Sequence, residues 1–110
     1  MVISDYNSIG ELVKHKIVAD KKEAALEGLT AGVDIDMVGD SSDGNVYSPY
    51  LEALVKDGQL GEAVINRSVK RVLEMKYNLG LFHNPYTDIE YYRNNELRKE
   101  YKDKIGRAHV

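Results

Sequence analysis

Two short apolar runs, Val2-Ile3-Ser4-Asp5-Tyr6 and Val33-Asp34-Ile35-Asp36-Met37, stand on either side of a helical stretch, and this order constrains the chain more than any other feature. Strand, helix and strand in sequence form the pattern of a parallel βαβ unit, since parallel neighbours need a long crossover. The chain is therefore expected to be α/β. The first run ends on a carboxylate, Asp5, where a buried strand would meet its loop. The carboxyl ends of parallel strands are where such folds bind ligands. Asp5 is the first candidate for chemistry, set against the commoner fate of an Asp after a strand, which is to cap the next helix.

The chain has 110 residues, 43% of them hydrophobic, enough for one small core if the elements close on each other. Two parallel strands leave both sheet edges unpaired, which is a poor fold to stand alone. A piece of a larger domain is the expectation. The net charge of −3, with Lys and Arg interleaved among acids, argues against a nucleic-acid or anionic-membrane partner. Without cysteine there is no disulfide framework and no thiolate metal site. No leader or membrane-length apolar run is read in these residues, which leaves the compartment open.

Punctuation along the chain places the helices. Ser8-Ile9-Gly10-Glu11 fits a capping box opening a helix to about Lys16, and Asp20-Lys21-Lys22-Glu23 opens a second that ends at Gly32. Residues from Gly39 to Tyr47 read as the loop after the second strand. Ser48-Pro49 reads as an N-cap with proline at the first helical position, and Gly58 stops that helix. Ile65, Val69, Val72, Leu73 and Leu79 recur at helical spacing before a glycine stop at Gly80. Asn84-Pro85 breaks the pattern, and the charged stretch from Asp88 to Arg107 reads as an exposed helix or linker.

Chemistry-bearing residues compete with plainer readings. Asp5 followed by Tyr6 suits a sugar, the carboxylate facing the anomeric carbon and the ring stacking on an apolar sugar face. Asp34 and Asp36 form a strand-borne D-x-D, the pattern of phosphatases that form an aspartyl phosphate. That reading needs a distal Lys and an acidic pair for magnesium, and no second strand ending in paired acids follows. Asp40 to Asn45 fails as a calcium loop, because neither Gly39 nor Gly44 at the invariant glycine position leaves acids at both ends. His15, His83 and His109 are too scattered for a metal site and read as surface or helix-end residues. The C-terminal tyrosines sit among acids such as Glu90 and Glu96, which spoils a nucleic-acid surface.

Together, Val2-Ile3-Ser4-Asp5-Tyr6, Gly10-Glu11-Leu12-Val13, Ala19-Asp20 and Ala31-Gly32-Val33-Asp34-Ile35-Asp36-Met37 resemble the last part of the catalytic barrel of glycoside hydrolase family 3, most of all its β-glucosidase branch. Val69-Lys70-Arg71-Val72-Leu73-Glu74-Met75-Lys76-Tyr77, then Leu79-Gly80-Leu81-Phe82 and Asn84-Pro85-Tyr86, resemble the helix and strap that close that barrel. The resemblance implies a TIM-like (β/α)8 barrel, of which residues 1–88 supply the portion from about strand 7 to the closing helices, and 89–110 a charged linker toward a second α/β sandwich domain. It implies retaining, exo-acting hydrolysis of terminal β-D-glucosyl residues, with Asp5 as nucleophile and Tyr6 on the aglycone side in a position often held by Trp. No metal or organic cofactor is implied; the partner is a small carbohydrate, a β-glucoside or oligosaccharide, and the family suggests the periplasm or secretion. The family's other sugar-binding residues and its general acid/base lie outside these residues, so the chain is expected to need the rest of its parent and to be inactive by itself. Two other readings stand beside this one: a non-catalytic α/β segment that only packs against a partner, and an aspartate-based phosphatase fragment.

Overall fold

The computed structural model describes residues 1–38, 45–95, 101 and 104, in two compact units, 1–79 and 80–110. The first unit holds α1 (Ser8–Lys14), α2 (Lys21–Ala31), α3 (Tyr47–Lys56) and α4 (Glu62–Asn78) on one side of two extended segments, 2–5 and 33–37. The segments run parallel and meet at a single bridge, Ile3 with Ile35, formed by Ile35 N–H on Val2 O (3.2 Å) and Ser4 N–H on Ile35 O (2.9 Å). The predicted strands are thus present as extended, parallel-paired segments, but the ladder is shorter than the sequence pattern implies. Beyond Ser4 it stops, because the Met37 N–H donates to the Ser4 side chain at 2.9 Å and not to the next carbonyl.

Helix α2 is the hub. Its small residues Ala24, Ala25 and Gly28 are buried, which lets neighbours approach closely. A Cβ on Gly28 would lie 3.1 Å from both Ile9 Cγ2 and the Tyr47 hydroxyl, so glycine there sets how tightly α1 and α3 pack on α2. Ile9, Leu29, Val46, Leu54 and Leu60 complete the core around them. The Asp20 cap is as predicted: Asp20 Oδ1 accepts the Glu23 N–H at 2.9 Å. Glu23 reaches back, although to the Ala19 N–H (2.7 Å). Gly32 ends α2 in the left-handed region at φ 103°, where a side chain would be strained.

Two starts differ from expectation. The Ser8 capping box does not form, because Asn7, at φ 58°, occupies the cap position and Ser8 Oγ turns back to donate to Asp5 O (3.1 Å). Asn tolerates the left-handed region, which frees Ser8 for the first turn. Helix α3 begins at Tyr47 rather than after Ser48, and the Asn45 side chain accepts the Ser48 N–H at 3.2 Å. Tyr47 is therefore helical and buried and is not the end of a loop. Residues 39–44 of that predicted loop lie outside the described residues, and with them all of the rejected calcium ligand run except Asn45.

Helix α4 docks through two arginines one turn apart. Arg67 donates to Leu29 O (3.2 Å) and Thr30 O (3.3 Å), placing positive charge on the carbonyl end of α2, which has no basic residue of its own there. Arg71 reaches Asp34. Its apolar stripe is less covered than a helix in a finished core: Val69 and Leu73, one turn apart, are 47% and 46% exposed. In the second unit Gly80, at φ 71°, accepts the His83 and Asn84 N–H groups, and α5 (Ile89–Asn95) starts where Asp88 Oδ1 accepts the Glu90 and Tyr91 N–H groups. The side chains of α5 are largely exposed, as the charged stretch predicts; 96–100, 102–103 and 105–110, with His109, lie outside the described residues.

Candidate active site

Side chains alternate along an extended segment, so the Ile3–Ile35 bridge sorts them into two faces. Ser4, Asp34 and Asp36 share the face turned to the helices, and Ser4 and Asp34 are buried there. Ile3, Asp5, Ile35 and Met37 share the other face, on which Ile3 and Met37 are 43% and 52% exposed. Asp5 therefore stands apart from both acids of the D-x-D.

Asp5 is exposed at the end of the first segment. Its Oδ1 accepts the Tyr6 N–H at 2.7 Å, and its carbonyl accepts the Ser8 N–H (3.3 Å) and Ser8 Oγ (3.1 Å). It does not cap α1, since among the described residues its carboxylate bonds the next residue's N–H and leaves the first-turn donors alone. A carboxylate steered by one backbone donor and open to solvent can meet a ligand. Tyr6 is 68% exposed beside it, with its ring available for contact.

The two strand acids do other work. Asp34, its side chain wholly out of solvent, accepts the Val2 N–H on Oδ2 (2.9 Å) and lies 3.4 Å from Arg71 Nη1 through Oδ1. Its own N–H donates to Val2 O at 2.9 Å, so the pair is reciprocal. Burial pushes the Asp34 carboxyl up, but the Val2 N–H, the nearby Ser68 hydroxyl and the Arg71 guanidinium outweigh it and hold it below its ordinary value. Ser68 Oγ is buried and makes no hydrogen bond among the described residues, so it acts on Asp34 as a neighbouring dipole and not as a formed bond. Asp36 Oδ2 accepts the Val46 N–H at 3.1 Å, fastening the segment that leads into α3. Tyr47 donates to Val33 O at 2.8 Å, and burial, then Asp36 and Asp34, push its phenol up. Asp34 is thus enclosed and paired, which disfavours it as the attacking acid of a phosphatase.

A pH dependence follows from Asp34. Because its carboxyl is held below the ordinary value of 3.8, its contribution to stability is present above that value and is lost as pH falls through the folded-state value beneath it. Asp34→Asn removes the pairing with Arg71 and is expected to cost about 1–3 kcal/mol at neutral pH. The difference from wild type should shrink below pH 3.8. Thermal midpoints of the full-length protein and its Asp34→Asn variant across that range check this; a gap that stays constant to the acid end would refute it.

Among the described residues no group of three or more His, Cys, Asp or Glu side chains is placed to hold a metal. His15 closes α1 and His83 sits in the Gly80 turn, far from each other in role. Sequence reasoning singles out Asp5 and Tyr6 as candidates but does not reveal the long-range bonds of Ser4, Asp34, Arg67 and Arg71. The signals were present as acids two apart on a strand and arginines four apart on a helix.

Residues 1–75 match the glycosyl hydrolase family 3 N terminal domain. The chain is 37% identical over 89 residues to a periplasmic beta-glucosidase of Salmonella typhimurium, covering 81% of this chain and 11% of that protein. It is 48% identical over 90 residues to a putative beta-xylosidase of Formosa agariphila, again covering 81% of this chain and 11% of the relative. In structure it is similar to a beta-glucosidase from Listeria innocua in complex with gluconolactone, with a TM-score of 0.75 and 31% identity over 93% of this chain and 13% of that one. The chain thus spans about a ninth of the length of the curated relatives it matches.

Proposed function

The chain belongs to glycosyl hydrolase family 3, and from that membership we propose that it is the nucleophile-bearing part of a retaining exo-β-glycosidase. The substrate class is a small β-glycoside with glucose or xylose at its non-reducing end. Both sugars appear in the names of its relatives, and glucose is the one to which the likeness to the Listeria protein inclines. The observation that carries the reading is Asp5: an exposed carboxylate at the carboxyl end of a parallel segment, inside the family-matched residues and beside an exposed aromatic ring. Asp5 attacks the anomeric carbon, its oxygen forming the glycosyl ester as the C–O bond to the aglycone breaks. An acid from elsewhere in the full-length protein protonates the leaving oxygen, then takes a proton from the water that releases the sugar. No metal or organic cofactor takes part.

In this proposal residues 1–88 form the last strands and closing helices of a barrel, and 89–110 lead on as a charged linker. The open apolar face at Ile3 and Met37 and the uncovered stripe of α4 support that arrangement, since other barrel elements would cover them. A periplasmic or secreted location is proposed from the Salmonella relative. Turnover of nitrophenyl β-glucosides and β-xylosides by the full-length protein, with the first-formed anomer read by NMR, tests the proposal. A β product supports retention; an α product, or no turnover of either, overturns it.

Tyr6 is proposed to line the leaving-group side. Tyr6→Ala should then reduce discrimination among aglycones by about tenfold while changing inhibition by the free sugar by less than about twofold. Unchanged aglycone preference would make Tyr6 a bystander.

A further inference from the structure

The parallel ladder ends in an unusual way one residue before Asp5. In a regular parallel pair the Ser4 N–H on Ile35 O would be followed by a Met37 N–H on the Ser4 carbonyl. The first of these is present at 2.9 Å, but the Met37 N–H donates to Ser4 Oγ instead, also at 2.9 Å. A side chain thus replaces a backbone carbonyl as the last rung.

We infer that Ser4 is a positioning residue for the Asp5 carboxylate, its hydroxyl holding the end of the neighbouring strand while leaving the Ser4–Asp5 peptide out of the ladder. The inference rests on the proposed role of Asp5 as nucleophile. Ser4 is buried, and accepting from Met37 fixes its side chain in one rotamer. The backbone that carries Asp5 is then held on both sides. Upstream, Ser4 ties it to residues 35 and 37 of the neighbouring segment. Downstream, the Asp5 carbonyl takes the Ser8 N–H and hydroxyl, and the Tyr6 N–H steers the carboxylate itself. Deeper along the segment, the Asp34 carboxylate performs the same kind of substitution on the Val2 N–H, so both side-chain rungs lie on the helix-facing side. Asp5, on the other face, is left free of the ladder yet fixed in position. Geometry of this kind matters because a misplacement of about 1 Å can cost about 100-fold in rate.

Alanine alone would confuse the loss of the hydroxyl with the loss of packing, so a shape-matched pair decides. Ser4→Thr keeps the hydroxyl and Ser4→Val replaces it by a methyl of the same volume. In the full-length protein the rate of covalent trapping by 2-deoxy-2-fluoro β-glucosides and β-xylosides is measured for both variants and wild type, with KM and thermal midpoint. Ser4→Val is expected to be trapped about 10- to 100-fold more slowly than Ser4→Thr, with KM for the two within about twofold. Equal trapping rates in Ser4→Thr and Ser4→Val, with wild type still labelled on Asp5, overturn the positioning role alone. A rate loss in Ser4→Val that only follows a lower thermal midpoint and a raised KM also overturns it, because packing would then explain both. Wild type labelled on another residue overturns this inference together with the proposed function.

Discussion

Asp5→Asn in the full-length protein is expected to lower kcat by about four orders of magnitude while leaving the fold intact. The substitution keeps the size of the side chain and an oxygen that can still accept the Tyr6 N–H, held at 2.7 Å in the wild-type chain. What it removes is the anionic oxygen that forms the bond to the anomeric carbon. Asp34→Asn and Asp36→Asn are expected to do much less to the covalent step. Both acids lie on the helix-facing side of their segment, bonded to Val2 and Val46, and neither shares a face with Asp5. Their losses should appear as stability, as worked out for Asp34, before they appear as chemistry. Peptide mass spectrometry after trapping with a 2-deoxy-2-fluoro β-glycoside locates the labelled residue directly. Label on any residue but Asp5, or wild-type turnover by Asp5→Asn, would falsify the assignment.

How much of this could be read from the sequence depends on whether the signal was local. The Asp20 cap and the Gly32 stop were legible because each is decided within four residues, by a carboxylate reaching a first-turn N–H and by a backbone angle that favours glycine. The Ser8 box is not decided by its own four residues, because Asn7 can also take the cap position, and the competition between adjacent polar residues is settled by the backbone turn out of the first segment. Tyr47 reads as the end of a loop because the Gly, Ser and Asp run before it hides its helical start, whereas its burial against Val33 and Gly28 is a long-range fact. Asp5 and Tyr6 were legible as candidates because a strand-end acid beside an aromatic is a short pattern. The Ser4, Asp34 and Arg71 bonds were not, because they join residues more than thirty positions apart and depend on the register of one parallel bridge.

Residues 1–110 produced alone are expected to show no turnover of nitrophenyl β-glucosides or β-xylosides, whereas the full-length protein turns them over. The reason is geometric before it is chemical. A (β/α)8 barrel needs roughly 250 residues to close, and here two extended segments meet at one bridge and, among the described residues, pair with no further strand. Ile3 and Met37 are left exposed on the face that carries Asp5, and Val69 and Leu73 on α4. In the proposed barrel each of these groups is apolar surface that folding of the full-length protein would bury, at about 25 cal/mol per Å². In the isolated chain that contribution is missing, and the unpaired segment edges invite association. The chain alone should therefore bind an apolar dye, associate as its concentration rises, and melt without a cooperative transition as a monomer. The mechanism leads to the same result, since Asp5 can attack only while another group protonates the leaving oxygen, and the proposal draws that acid from outside these residues. Calorimetry and turnover assays on the two proteins side by side measure both halves of the expectation. Measurable hydrolysis by the chain alone, or a sharp calorimetric transition of its monomer, would mean that these residues form a self-sufficient domain and that the barrel reading must be abandoned.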